Sequence, residues 1–412
     1  MLRQVNVGHK SLADYHSIVS RELMAEIREL AATVQGVRVC HVNATSFGGG
    51  VAEILYSLVP LMNDAGLRAD WKVMFGREEF FDVTKAMHNA LQGDPRGITE
   101  DDRRIFERYN VLNAGGLDGD YDVMIIHDPQ PAGIRQYSPR NESAKWVWRC
   151  HIDLSAPNPE VLEFLRPMIN AHDMAVFHMA GYVPEGPMPE TVVMPPAIDP
   201  LAPKNMALSA EDAAYIVNQF GLDAERPLIL QVSRFDPWKD PLGVIDAYRA
   251  VKRRRPEVQL ALVGSMATDD PEGWDYYNRT VDYADGDPDI YILSNLNNVG
   301  GVEVNAFQTH AAVVLQKSVR EGFGLTVTES LWKARPTIGG NVGGIPLQIV
   351  DGQTGWLVNS PEECADRILR VLDRPDEARA MARRGKQHVR HDFLTPRYLR
   401  DWLGIINRLT RG

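Results

Sequence analysis

The sequence has few cysteines, no excess of positive charge and no long apolar run. Its three cysteines, Cys40, Cys150 and Cys364, lie far apart and indicate neither a disulfide framework nor a CxxC metal site. No stretch approaches the roughly 20 apolar residues of a membrane-spanning helix, and the N-terminal segment lacks the apolar block of a signal peptide. Because 44 Lys and Arg against 55 Asp and Glu give a net charge of −11, non-specific binding to nucleic acid is disfavoured. We expect a cytoplasmic, multidomain protein with no nucleic-acid partner and no membrane span.

Short apolar runs alternate with amphipathic segments, which predicts an α/β fold of two Rossmann-like, doubly wound sheets. The first domain is predicted at 1–194, with strands at 37–44, 122–127, 146–151, 175–178 and 191–194. The second is predicted at 206–390, with strands at 228–232, 259–263, 290–293 and 312–315. A proline-rich hinge at 195–205 separates them. The segment 391–412 is predicted as a helix whose apolar face packs back on the first domain.

Two cations lie on the strand-to-helix loop of residues 233–240. Arg234 and Lys239 follow a predicted strand, and Asp240-Pro241 is a typical helix start. Cations beside a helix N-terminus are suited to binding an anion. The alternative is a pair of solvated loop charges.

Two glycines and two glutamates mark the segment 320–329. Gly322 and Gly324 would allow backbone amides to approach a ligand closely, and a helix is predicted to begin near Leu325. Glu321 in the loop and Glu329 in the helix, expected on the ligand side, would accept hydrogen bonds from sugar hydroxyls. The alternative is an ordinary capped helix.

Further glycine runs occur at 48–50, where the first helix is expected to open toward the ligand, and at 339–344, which we interpret as a loop. Neither is a GxGxxG motif, and no GxxxxGK[ST] motif occurs, which disfavours a dinucleotide or P-loop site. In doubly wound folds, ligands bind at the carboxyl ends of the strands, so the site is expected in a cleft between the two domains.

Histidine and aspartate follow two strands of the first domain. His127 and Asp128 end one strand, and His151 and Asp153 end the next, so at least one pair is expected to contact substrate. A zinc site is disfavoured because no third ligand has suitable spacing. The DxD motifs at 118–120 and 287–289 precede strands and are interpreted as turns.

Taken together, Arg234 and Lys239, the two glutamates with seven residues between them, and the glycines at 343, 344, 352 and 355 resemble the retaining glycosyltransferase family 4 of GT-B fold. The first domain, through 43–53, 127–130 and 148–153, is similar to the trehalose glycosyltransferring synthases. That resemblance implies transfer of glucose from a nucleotide-diphosphate glucose (ADP-, UDP- or GDP-glucose) to free glucose, giving α,α-trehalose reversibly. It implies no required cofactor and no metal.

The resemblance also implies residue roles. Arg234 and Lys239 would neutralise the leaving diphosphate, Glu321 and His151 would contact the donor sugar, and Glu329 would hold the ribose. Acceptor contacts are expected from His127, Asp128 and Asp153. The remaining donor-binding residues are predicted to be Gly49, Gly50, Ser233, Asn295, Gly322, Phe323, Gly324 and Leu325.

Several alternatives stay open at this point. A retaining trehalose phosphorylase would use phosphate in place of the nucleotide, and a family 4 transferase could use another sugar acceptor. A sugar-nucleotide epimerase and a non-catalytic nucleotide-sugar sensor are further rivals. The sequence leaves the donor base, the favoured direction and a homodimer undetermined.

Overall fold

The computed structural model describes residues 2–47, 49–138, 140–266 and 271–411, and the chain divides into two compact units. The first unit comprises Met1–Ala197 and Thr395–Gly412, and the second comprises Ile198–Leu394. The boundary between the two units falls within the predicted hinge at 195–205, which stays a prediction. Its residues from Ile198 onward belong to the second unit, where the Ile198 amide donates to the Phe393 carbonyl at 2.9 Å.

The first unit is built on a seven-stranded sheet of order β1-β3-β2-β4-β5-β6-β7, in which only β1 is antiparallel to its neighbour. Its strands are β1 Arg3–Gln4, β2 Arg38–Asn43, β3 Arg68–Val73, β4 Val123–His127, β5 Lys145–Arg149, β6 Met174–Phe177 and β7 Glu190–Val193. Its helices along the chain are α1 Arg21–Thr33, α2 Gly50–Asp64, α3 Glu78–Leu91, α4 Glu100–Gly115, α5 Ile134–Tyr137 and α6 Pro159–Asn170.

The second unit is built on a six-stranded parallel sheet of order β10-β9-β8-β11-β12-β13. Its strands are β8 Leu228–Val232, β9 Gln259–Gly264, β10 Ile290–Ser294, β11 Val313–Gln316, β12 Thr337–Gly340 and β13 Trp356–Val358. Its helices are α7 Ala210–Gln219, α8 Pro241–Lys252, α9 Pro271–Ala284, α10 Gly301–His310, α11 Leu325–Trp332, α12 Ile345–Gln348, α13 Pro361–Asp373 and α14 Pro375–Asp392.

The last helix, α15 Thr395–Arg411, belongs to the first unit. Residues 391 and 392, which the sequence assigned to this segment, instead end α14. Trp402, Leu403 and Ile406 of α15 are fully buried, and Arg400 Nη1 lies 2.9 Å from Glu26 Oε2 on α1. Burying that apolar face closes the core of the first unit.

In both units, buried strands alternate along the chain with amphipathic helices, as the sequence pattern predicts. Strand β8 is buried along its whole length, as expected for a parallel strand covered on both faces. Asp240 caps α8 by accepting a hydrogen bond from the Gly243 amide at 3.1 Å, which confirms the helix start predicted at Asp240-Pro241. Within the described part of the chain, no helix combines the length and apolarity that crossing a membrane requires.

Candidate active site

The loops after β8 and β11 lie side by side because these two strands pair in parallel. Gln231, near the end of β8, joins the loops: its Oε1 accepts from the Lys317 amide at 3.0 Å and its Nε2 donates to the Lys239 carbonyl at 2.9 Å. The Lys317 ammonium pairs with Asp240 at the start of α8. Both loops are thereby fixed to the sheet.

Glu321 and Lys239, predicted on separate loops, form an ion pair. Lys239 Nζ lies 2.7 Å from Glu321 Oε2, and the two side chains are 15% and 10% exposed. The same oxygen accepts from Ser318 Oγ at 3.1 Å, and Gln316 Nε2 lies 3.4 Å away. A carboxylate with three donors around one oxygen is held in a single orientation.

Arg234 is more exposed than Lys239. Its guanidinium Nη2 lies 3.0 Å from Asp236 Oδ2, and 64% of the Arg234 side chain is accessible. Ser233, the preceding residue, contacts Gln231 Nε2 through its hydroxyl at 3.5 Å. Because most of the Arg234 side chain is exposed, it can change its rotamer to contact an anion at a small cost in free energy.

The glycine turn 322–324 leads directly into α11. Gly324 has φ +81°, in the left-handed region, and α11 begins at Leu325 as predicted. Gly344 lies against this turn: a Cβ there would be 2.8 Å from Phe323 Cα and 2.9 Å from the Gly322 carbonyl oxygen. The predicted glycine loop at 339–344 is only partly a loop, because Gly339 and Gly340 belong to β12.

Glu329 is buried, with 1% of its side chain exposed. Lys204 Nζ lies 3.1 Å from its Oε1, and Gln308 Nε2 donates to its Oε2 at 3.0 Å. Burial alone would raise the pKa of Glu329, but the ammonium groups of Lys204 and Lys333 outweigh it and hold the pKa below its usual range. In this structure Glu329 is a buried, ion-paired residue, and the ribose contact expected of it stays a prediction.

Asn295 uses both atoms of its amide on the backbone of Met266. Its Oδ1 accepts from the Met266 amide at 2.7 Å, and its Nδ2 donates to the Met266 carbonyl at 3.0 Å. These bonds tie the loop after β9 to the end of β10. A contact between Asn295 and a nucleotide base stays a prediction.

Four imidazoles are hydrogen-bonded in series across the first unit, one within β2 and the others at or just after the carboxyl ends of β4, β5 and β6. We call His41, His127, His151 and His178 the imidazole row. The distances are 3.0 Å from His41 Nδ1 to His127 Nε2, 2.9 Å from His127 Nδ1 to His151 Nε2 and 3.4 Å from His151 Nδ1 to His178 Nε2. Burial lowers the pKa of His127, His151 and His178 well below the usual value, and the nearby Arg149 charge lowers each further. The imidazole row is therefore neutral.

The two predicted aspartates accept hydrogen bonds from backbone amides, Asp128 from a neighbouring loop and Asp153 from its own loop. Asp128 has φ +66°, and its Oδ1 accepts from the His151 amide at 2.7 Å, so it fixes the loop that carries His151. Burial raises the pKa of Asp128 to about 7. Asp153, 6% exposed, accepts from the Ser155 amide at 2.8 Å. Acceptor contacts by these carboxylates stay predictions.

The glycine run after β2 opens α2. Gly49 is the residue before α2 and is extended, and Gly50 is its first residue, while Gly48 lies outside the described residues. Among the residues that the structure describes, no group of three or more His, Cys, Asp or Glu side chains is arranged to hold a metal ion. Asp287 and Asp289 of one DxD motif pair with Lys252 at 2.6 and 3.0 Å, and Asp287 Oδ1 accepts from the Asp289 amide, which confirms a turn.

Sequence reasoning missed several residues that hold the site. Gln231, Lys317 and Ser318 fix the two loops, and His41 and His178 complete the imidazole row. Four of the five, Gln231, Lys317, Ser318 and His178, could have been found by position, because they lie at or just after the carboxyl end of a predicted strand, where ligands bind in doubly wound folds. His41 lies within its strand and carried no such signal.

Comparison with known proteins gives matches over nearly the whole chain. The family model described as the N-terminal domain of trehalose synthase matches residues 41–184, and the model described as group 1 glycosyl transferases matches 214–388. A trehalose synthase of Rubrobacter xylanophilus is 59% identical over 99% of both chains. The chain belongs to the trehalose synthase family. A second member of this trehalose synthase family, from Pyrococcus horikoshii, is 46% identical over 99% of both chains.

Solved structures give the fold. An α,α-trehalose-phosphate synthase from Burkholderia xenovorans, in complex with glucose-6-phosphate, aligns with a TM-score of 0.73 at 16% identity, over 92% of this chain and 100% of the other. A trehalose-6-phosphate enzyme from E. coli bound with UDP-2-fluoro glucose aligns with a TM-score of 0.72 at 15% identity, over 90% and 99%. The trehalose synthase family member described here thus has the GT-B fold, as predicted.

Proposed function

We infer that this protein is a retaining glucosyltransferase that makes α,α-trehalose from a nucleotide-diphosphate glucose and free glucose, in a reversible reaction. The observation that carries the site assignment is the Lys239–Glu321 ion pair at the carboxyl ends of two adjacent strands. Family membership supports the reaction. The sequence also predicts a cytoplasmic location and leaves a homodimer open.

The leaving diphosphate requires positive charge near the departing oxygen. We assign this role to Arg234 and Lys239, with help from the amides that lead into α11. When a diphosphate takes Lys239, Glu321 loses its ammonium partner and becomes available to sugar hydroxyls, while Ser318 still holds its orientation. Donor binding thus replaces the Lys239–Glu321 ion pair by a contact of Lys239 with the diphosphate and contacts of Glu321 with sugar hydroxyls.

No protein nucleophile is assigned. In this proposal the acceptor glucose attacks from the face that the diphosphate leaves, and a leaving phosphate oxygen takes the acceptor's proton. The enzyme then acts by positioning the two sugars and stabilising an oxocarbenium-like state and a departing anion. We assign His151 to the donor sugar near the reacting carbon and Glu329 to the ribose. Contacts to the acceptor are assigned to Asp128, Asp153 and His127.

A product assay tests the reaction. The purified protein is incubated with glucose and, separately, ADP-, UDP- or GDP-glucose, and the products are examined by NMR. We expect α,α-trehalose and the free nucleotide. Formation of glucose 1-phosphate from trehalose and inorganic phosphate, with no turnover of any nucleotide sugar, would instead establish a phosphorylase, the activity named for relatives about 28% identical.

A further inference from the structure

The imidazole row ends at a sulfur atom. His41 Nε2 lies 3.4 Å from Met62 Sδ, and both side chains are fully buried. A thioether has no proton to donate and can only accept a hydrogen bond. His41 Nε2 therefore carries the proton, because a bare nitrogen there would point its lone pair at the sulfur lone pairs.

The proton on His41 Nε2 determines which nitrogen carries the proton in each of the other three rings. A neutral imidazole has one donor and one acceptor nitrogen. With its proton on Nε2, His41 must accept at Nδ1 from His127 Nε2, and the same argument passes from His127 to His151 and from His151 to His178. All four rings then carry their proton on Nε2.

The ring geometry agrees with this chain of donors. The His41 and His127 ring centroids are 5.3 Å apart with planes 26° from parallel, and those of His127 and His151 are 5.2 Å apart at 21°. With nitrogens about 3 Å apart, these values describe rings that meet edge to edge and nearly in plane. Such rings can pass a fixed orientation from one to the next.

We propose that Met62 and His41 are positioning residues that set the tautomer and the orientation of His151 through the imidazole row. His151 Nδ1 then presents a lone pair rather than an N–H group. Its contact with His178, at 3.4 Å, is the longest in the imidazole row and is the one that a substrate hydroxyl would share or replace. Because a thioether cannot take up or release a proton, the imidazole row orients His151 and does not conduct protons to the far end.

The expected benefit lies in the transition state. The reacting sugar carbon develops positive charge, which a nitrogen lone pair stabilises and an N–H dipole opposes. This step rests on the proposed function, since it needs His151 at the donor sugar. The tautomer assignment does not rest on it.

The tautomers can be measured directly in the full chain. In protein with ¹⁵N-labelled histidine, two-bond ¹H–¹⁵N spectra distinguish Nε2–H from Nδ1–H rings. We expect Nε2–H for all four members of the imidazole row, assigned with single His→Gln variants. A wild-type His151 in the Nδ1–H form overturns the proposal, whatever the activity.

The coupling to catalysis is tested with Met62→Leu, which removes the sulfur and keeps an apolar side chain of similar size. We expect a partial shift of His151 toward Nδ1–H and a fall in kcat of about 10-fold, with donor KM little changed. Met62→Gln restores an acceptor and should recover the wild-type tautomer and most of kcat. Met24→Leu, the same exchange at another buried methionine of the first unit, should change neither.

The outcomes separate the two proposals. Unchanged tautomers in Met62→Leu overturn the inference. A changed tautomer at unchanged kcat supports the role of Met62 and overturns the catalytic consequence drawn from it. A wild-type protein that turns over no nucleotide sugar overturns the proposed function, and the spectra still decide the tautomer assignment. Melting curves identify a variant that loses activity only because it unfolds.

Discussion

Lys239 and Glu321 neutralise each other across 2.7 Å, so a change to either one alters the charge that a donor meets. The pair is largely shielded from water, so the electrostatic interaction between the two charges depends strongly on their exact positions. Arg234 also has a carboxylate partner, Asp236, but its side chain is 64% exposed and its position is therefore less restricted. Single residues in this site therefore differ in what they contribute, even where their charges are alike.

Glu321→Gln is expected to lower kcat by about 10²-fold, because a preorganised charge beside the reacting sugar is lost mainly in the transition state. Steady-state kinetics with nucleotide-glucose and glucose measure this. Glu211→Gln, the same exchange at an exposed glutamate of α7, serves as control and should leave kcat unchanged. Full kcat in Glu321→Gln would show that the sugar contact is assigned wrongly.

Glu329→Gln is expected to reduce stability as well as donor binding. The substitution leaves Lys204 and Lys333 without their carboxylate, and unpairing a buried charge costs about 3 kcal/mol. Urea unfolding measures the loss, and donor KM should rise while kcat is largely kept. Adding Lys204→Met to Glu329→Gln should recover part of the stability, and a strictly additive double variant would contradict the ion pair.

The imidazole row makes stability depend on pH. Burial holds the native pKa of each row histidine below its unfolded value, with that of His41 lowered to about 3, so below about pH 6.5 the unfolded chain takes up protons first and stability falls. Asp128, with its pKa raised to about 7, opposes this, because its native form holds a proton that the unfolded form releases. For the imidazole row and Asp128 alone the net is up to three protons, about 4 kcal/mol per pH unit, and burial of His172, which lowers its pKa to about 4, adds to the same slope.

Urea unfolding at pH 7.5, 6.5 and 5.5 measures that slope. His127→Gln should reduce the number of linked protons by one. A free energy of unfolding that stays constant over this range would contradict the neutrality of the imidazole row.

At the scale of elements, glycines place the loop before α11 against the one before α12. Gly344→Ala is expected to lower kcat/KM for the donor, because its Cβ would lie 2.8 Å from Phe323 Cα and displace the glycine turn. Gly404→Ala is the matched control: nothing lies within 4 Å of a Cβ there, and alanine within α15 should raise stability by about 0.5–1 kcal/mol. Equal kinetics in the two variants would contradict the steric argument.

Local pattern determined how much of the fold was predictable. The five buried residues of β8 form a mostly apolar run that predicts a strand, and the predicted bounds match those of the structure. Strand β3 was missed because Arg68, Asp70 and Lys72 interrupt its apolar residues. The last two residues of β12, Gly339 and Gly340, were taken for part of a loop, yet a Cβ on Gly340 would overlap the Ser318 carbonyl oxygen.

The positions of the candidate site residues in the chain were predictable from the same local pattern, and their contacts were not. Strand ends can be located from apolar runs, which placed Arg234, Lys239, Glu321 and His151 correctly at the ends of strands. Which of them would touch depends on strand order, and the sequence does not contain that order explicitly. The pairing of Glu329 with Lys204, 125 residues earlier, is such a contact.

At the scale of the whole molecule, the first unit is completed by a helix that follows the second unit in the chain. Trp402→Ala is expected to cost about 3–5 kcal/mol, because Trp402 is fully buried in the first unit. Hydrogen exchange should show faster exchange in β5 and β6 with β8 and β9 unchanged. The control Thr410→Ala, on the exposed end of α15, should change stability by less than about 0.5 kcal/mol.

The position of α15 also sets an order of events during synthesis. A ribosome makes the second unit in full before Tyr398 and Trp402 emerge, so the nascent first unit waits through about 200 residues of translation with its docking surface for α15 uncovered. At about 5–20 residues per second that interval is on the order of 10–40 seconds. The first unit therefore stays incomplete throughout that interval, and chaperones that recognise exposed apolar surface have this time in which to act.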